Sequence, residues 1–131
     1  MARVLVLSRD LLFGSQVQGA LTLAGHEVEL VGDEGRLRTR FADSSDPGRP
    51  ADLLIVDLTD GDLDAAAMVQ ALVGDGELGH ARTLGFFSHV DAAARVGAER
   101  AGVELVVPRS RMAREGAELV AGLLGTPHPS I

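Results

Sequence analysis

Leu53-Leu54-Ile55-Val56 places four large branched apolar residues in a row, and the run ends on a carboxylate, Asp57. A short, unbroken apolar run of this kind suits a strand covered on both faces, the environment of a central strand in a parallel sheet. Ligand and reaction sites in open α/β sheets lie beyond the carboxyl ends of such strands. Asp57 therefore stands where a site would be, and its neighbours decide what that site can do.

Two further runs have the same character. Val4-Leu5-Val6-Leu7 ends on Ser8, and Thr83-Leu84-Gly85-Phe86-Phe87 ends on Ser88. His26 to Val31 alternates polar and apolar residues at its start, the pattern of a half-covered edge strand. Glu104 to Val107 is a short last strand that Pro108 is expected to stop.

Amphipathic stretches separate the runs. Asp10 to Ala24 brings Phe13, Val17, Ala20, Leu21 and Ala24 to one helical face, with Asp10 as the cap and Gly25 as the stop. Gly32 to Ala42 predicts a short helix carrying Leu37 and Phe41, and Asp43 to Pro50 has the composition of a loop. Asp62 to Val73 and Asp91 to Ala101 are the next two helices, the latter capped by Asp91. Ser110 is expected to cap a last helix with Ala113, Ala117, Val120 and Leu124 on one face.

Five strands alternating with five helices predict a three-layer, flavodoxin-like α/β domain, with a parallel sheet of order 2-1-3-4-5 and helices on both faces. The reading places one domain over residues 1–125 and a loose tail over 126–131.

Composition closes several routes. There is no Cys, which excludes disulfides and thiolate metal sites. All 12 basic residues are Arg, so Walker-type phosphate loops and Schiff-base catalysis are impossible. No apolar run approaches the roughly 20 residues that span a bilayer, and the first apolar run is too short for a signal-peptide core. A cytoplasmic location with no membrane contact is expected. A net charge of −7 with four Phe and no Trp or Tyr argues against a nucleic-acid surface.

Catalytic and ligand motifs are equally sparse. Ser88, His89 and Asp91 do not make a hydrolase, because strand neighbours point to opposite faces and no Gly-x-Ser-x-Gly elbow is present. The four His show no helical pairing or carboxylate clustering suited to a metal. The first strand-to-helix turn, Ser8 to Gly14, lacks a dinucleotide-binding glycine pattern. Ser8 and Arg9 with the helix amides could still receive a small anion.

With its elements in this order, the chain resembles the receiver domain of two-component response regulators over nearly its full length. Asp57 matches the family's phosphoacceptor, Ser88 its switch hydroxyl, and Gly102 leads into the fifth strand as in the family. The resemblance implies phosphoryl transfer assisted by magnesium, and here the chain departs. Two acidic residues that hold the ion in the family correspond to Ser8 and Arg9. The family's lysine at the end of the fifth strand corresponds to Pro108, with Arg109 next. After the phosphoacceptor, Gly61 and Ala65 stand at the expected Pro and Gly, although Asp64 keeps a frequent acidic position.

A divalent cation neutralises charge on the transferred phosphoryl oxygens, so a cationic residue at its ligand position opposes the chemistry. The degenerate pocket comprises Ser8, Arg9, Asp10, Thr59, Pro108 and Arg109, with Arg9 expected to pair with Asp57 and Asp10 to cap a helix rather than bind metal.

The resulting expectation is a stand-alone pseudo-receiver, not an enzyme, needing no cofactor and no metal. It would signal through a protein partner or a homodimer. The interface would be the last helix-strand-helix face, from Asp91 to Leu124, where Arg95, Arg100, Arg111 and Arg114 concentrate. Two alternatives stay open: a working phosphorelay receiver modified on Asp57, and a sensor of a small anionic ligand in the Asp57 cleft.

Overall fold

The computed structural model describes residues 2–42, 51–58, 65–74, 81–87 and 92–125. The elements alternate throughout: β1 (Arg3–Leu7), α1 (Leu11–Leu23), β2 (Glu27–Val31), α2 (Glu34–Ala42), β3 (Leu53–Asp57), α3 (Ala65–Gly74), β4 (Arg82–Phe87), α4 (Ala92–Ala101), β5 (Leu105–Pro108) and α5 (Arg109–Gly125). All strand pairs are parallel, and the sheet order is β2-β1-β3-β4-β5. This is the flavodoxin-like arrangement that the apolar runs predict.

Strand alternation divides the core in two. Val4, Val6, Leu53, Ile55, Leu84 and Phe86 face α1 and α5, where they meet Phe13, Val17, Leu21, Met112 and Val120. Leu5, Leu7, Leu54, Val56 and Phe87 face the other way and pack with Leu37, Met68, Val69, Leu72 and Ala98. Every residue of β3 is buried, as the unbroken apolar run requires. Burying each Leu, Ile or Val side chain contributes about 1.5–3 kcal/mol, so these strands carry much of the stability. β2 at the sheet edge buries only Val31 fully, in keeping with its mixed sequence.

Two glycines have a conformational task. Gly25 takes a φ of +97° beyond the end of α1, and Gly102 takes +114° between α4 and β5. Side chains other than hydrogen rarely tolerate that region. Just past Gly102, the Thr83 hydroxyl donates to the Gly102 carbonyl and accepts from the Glu104 amide, both at 2.8 Å. Arg82 and Glu104 add a largely buried ion pair at 2.9 Å. Together they fix the start of β5 against β4.

Several helix details correct the sequence reading. α5 begins at Arg109, so Ser110 lies inside its first turn and is not the cap. The last strand ends at Pro108 as expected, with Pro108 itself its final residue, paired with Phe87. At the sheet's outermost strand a missing amide is tolerated, and proline's fixed φ suits the helix that begins at Arg109. Ala113 is exposed, and α5 buries Met112, Gly116 and Val120 instead. The helix is interrupted at Glu115, whose φ of −125° and ψ of 15° are non-helical, yet Met112, Gly116 and Val120 keep the four-residue spacing of one helical face. On α1, Ala20 and Ala24 are exposed, while Phe13, Gly14, Val17 and Leu21 form the buried face.

Candidate functional site

The register of β1 and β3 explains the site. Val4 lies beside Leu53 and Leu7 beside Val56, a constant offset that sets Ser8, just past β1, level with Asp57, the last residue of β3. Both are buried. The Ser8 hydroxyl donates to Asp57 Oδ2 at 3.1 Å, and its own backbone amide donates to the Val31 carbonyl at 3.1 Å. A carboxylate this deep needs donors, and the hydroxyl supplies one.

Ser8 also shapes the turn into α1. Its Oγ accepts from the Asp10 amide at 3.1 Å and lies 3.4 Å from the Asp10 carbonyl. Asp10 then caps α1 as the sequence predicts, with Oδ1 accepting from the Phe13 amide at 3.0 Å. Its second oxygen is taken by Arg109, which donates through Nη2 from the first residue of α5. The Phe13 amide first, and the Arg109 guanidinium next, hold the Asp10 carboxyl below its usual range.

Phe13 completes the cluster. The Arg109 guanidinium carbon sits 4.3 Å above its ring centre, a cation–π stack. The ring in turn meets Phe86 at 5.0 Å between centres. Phe86 is the register partner of Asp57. Side chains from β1, β3, β4, α1 and α5 thus converge at the carboxyl end of the sheet.

The sequence-predicted residues separate into groups. Ser8, Asp10, Asp57 and Arg109 come together. Pro108 delivers Arg109 to the rim, and Arg9 is exposed at the turn. Thr59 and Ser88 lie outside the described residues, as does the proposed cap Asp91. Arg95 and Arg100 are exposed on α4. Arg111 and Arg114 on α5 both approach Glu115, at 3.5 and 4.0 Å, which offsets part of their charge within the chain.

Sequence reasoning missed two features: Phe13 as a platform for Arg109, and the pairing of Arg109 with Asp10. Asp10 and Phe13 are three residues apart at a helix start, which signals a cap with an aromatic in the same turn. Their partner is 99 residues from Asp10 in sequence, so no local pattern reveals it.

Among the described residues, no group of three or more His, Asp or Glu could hold a metal ion. No helix among them is long and apolar enough to cross a membrane.

No family model and no curated relative matches the chain. Solved structures do. The non-phosphorylated HemR receiver domain of Leptospira biflexa aligns with a TM-score of 0.80 at 15% identity, over 100% of each chain. The receiver domain of the Francisella response regulator 1452 gives 0.80 at 12% identity, covering 95% of this chain and 97% of that one. The signal receiver domain of a response regulator, NarL, from Mycobacterium tuberculosis gives 0.75 at 21%, covering 96% and 98%. The fold is that of a response-regulator receiver domain. Asp57 ends the third strand of this fold, and Arg109, at the start of the fifth helix, reaches Asp10 at the same end of the sheet.

Proposed function

We propose that this receiver-fold chain is a cytoplasmic signalling module that acts through protein contact, without magnesium-dependent phosphorylation of Asp57. The observation that carries the reading is the buried bond of 3.1 Å from the Ser8 hydroxyl to Asp57 Oδ2. A neutral donor stands where the resemblance calls for a metal-binding acid. A serine hydroxyl brings no charge to balance a divalent cation, which prefers carboxylate oxygens. The remaining carboxylate of the turn, Asp10, is occupied by the Phe13 amide and by Arg109. Arg9 adds further positive charge at the turn and opposes a second cation there.

Asp57 then serves as a buried structural carboxylate at the carboxyl end of the sheet. The signal would leave through the last helix-strand-helix face, where Arg95, Arg100, Arg111 and Arg114 suit an acidic partner or the acidic surface of a second copy.

The test is an amide NMR titration with magnesium, then with beryllofluoride as the phosphoryl mimic. The proposal expects no saturable shift at Ser8, Asp57 or Arg109. Shifts that saturate and require both reagents would establish a working phosphorelay receiver instead. Shifts with inorganic phosphate alone would point to an anion sensor.

A further inference from the structure

The outward face of α1 differs from the rest of the surface. None of the 13 residues of this helix is charged, in a chain whose composition is 24% charged. Of the five large apolar side chains exposed among the described residues, three lie here: Leu11, Leu12 and Leu23. Leu12 and Leu23 are 75% and 92% exposed. The eleven residues between them make close to three helical turns, so both leucines lie on one line along the helix, about 16 Å apart. Ser15 and Gly19, also exposed, stand between them. α3 is uncharged too, but Val73 is the one large apolar side chain exposed among its described residues.

The polar groups beside this line are satisfied within the chain. The Thr22 hydroxyl donates to the Gln18 carbonyl at 2.7 Å, and Gln18 Nε2 donates to the Val28 carbonyl of β2 at 3.2 Å. Gly19 has no such internal reason. A Cβ built there meets nothing within 4 Å, and its φ is not in the left-handed region. Glycine is the poorest helix former after proline, and it is of use where another backbone must come close.

A second copy of the chain fits this face. A two-fold contact sets each patch against itself, and with a net charge of −7 most such pairings would oppose like charges. The uncharged helix avoids that. When two α1 helices cross antiparallel, Leu12 of each copy faces Leu23 of the other, with Ser15 and Gly19 at the crossing. The same reversal brings Arg9 of one copy toward Glu27 of the other, both exposed, so opposite charges rim an apolar centre.

We propose that the outer face of α1 is a self-association surface that joins two copies of this chain through an antiparallel helix pair. It shares no residue with the arginine-bearing face and does not rest on the function proposed above.

Sedimentation equilibrium across the micromolar range tests it. The wild type should pass from monomer to twice that mass as concentration rises. Leu12→Glu, Leu23→Glu and Gly19→Gln should each weaken the association by about tenfold or more. Gly19→Gln should meanwhile unfold at a higher temperature than wild type under dilute conditions, because it replaces a glycine within a helix. The chain has no Cys, so cross-linking maps the pairing. On oxidation, a mixture of Leu12→Cys and Leu23→Cys should form far more disulfide-linked pair than either variant alone. A monomer mass at every concentration overturns the proposal. So does a dimer that all three variants retain, or cross-linking that is strongest within Leu12→Cys alone.

Discussion

Replacing Ser8 with Ala removes one buried hydroxyl from beside Asp57 and tests whether Asp57 is a structural carboxylate. The hydroxyl makes two contacts with good geometry, donating to Asp57 Oδ2 at 3.1 Å and accepting from the Asp10 amide at 3.1 Å. A hydrogen bond to a charged group contributes about 1.5–3 kcal/mol, and a neutral one about 1 kcal/mol. Asp57 has further interactions that remain in the variant, so its loss falls at the lower end of that range. The two contributions sum to about 2–3 kcal/mol of destabilisation. For a chain of 131 residues that corresponds to a fall in Tm of roughly 8–12 °C, taking about 4 °C per kcal/mol. Urea unfolding at neutral pH measures it directly, as a lower midpoint with an unchanged m-value. In the Asp57→Ala background the same substitution should cost about 1 kcal/mol, since the charged partner is gone. A Ser8→Ala variant within about 0.5 kcal/mol of wild type would refute the argument. Asp57 would then be held by its other partners, and the hydroxyl would be incidental.

Restoring acids at the metal positions, with Ser8→Asp and Arg9→Asp together, should destabilise the apo-protein by crowding buried carboxylates, and magnesium should recover the loss in a thermal-shift series. Failure of magnesium to stabilise that variant would show that more than these two residues disables the site. Asp10 has its carboxyl held low in the folded state by Phe13 and Arg109. Its contribution is therefore fully present above the unfolded-state value of about 3.9 and lost as pH falls through the lower folded value. Stability of wild type and Asp10→Asn should accordingly differ by a constant amount at neutral pH and converge only in acid. Curves that converge already at pH 6 would contradict the assignment. Gly102→Ala forces a side chain into a φ of +114°, with the new Cβ only 2.9 Å from Val73 Cγ2. A loss of about 2 kcal/mol or more is expected by urea unfolding, and a neutral result would mean that the turn has an alternative conformation.

The fold was legible because its signal is local and repeated. Leu53 to Val56 is apolar at every position, which only a strand covered on both faces accommodates. Two similar runs then set the centre of the sheet, while the alternation after His26 marked the edge. Element ends were harder to place where a side chain or its absence acts through backbone geometry. Ser110 has the chemistry of a cap, yet Pro108 delivers the chain to Arg109 already in helical geometry. The interruption at Glu115 leaves no mark in composition at all, and small alanines at 113 and 117 gave the apolar pattern of α5 too little weight to separate their face from that of Met112, Gly116 and Val120.

At the site, sequence identified the participants but not their partners. The equal offset between β1 and β3 makes Ser8 and Asp57 neighbours, and nothing in either segment alone states that offset. The clearest lesson concerns the cations. Sequence reading drew attention to Arg9, because it follows Ser8 directly, and gave no sign of how Arg109 would be held. In the folded chain Arg109 is held by an aromatic face beneath it and a carboxylate beside it. A guanidinium needs both a flat surface and an acceptor to be held in one place, and α1 offers both within a single turn, at Asp10 and Phe13. A metal-dependent receiver must leave its acidic turn available for an ion. This chain engages Asp10, the acid of its first strand-to-helix turn, with Arg109, the first residue of α5 and 99 residues away in sequence. In the function proposed above, that engagement adds to the missing acids as a reason to favour contact over phosphoryl transfer.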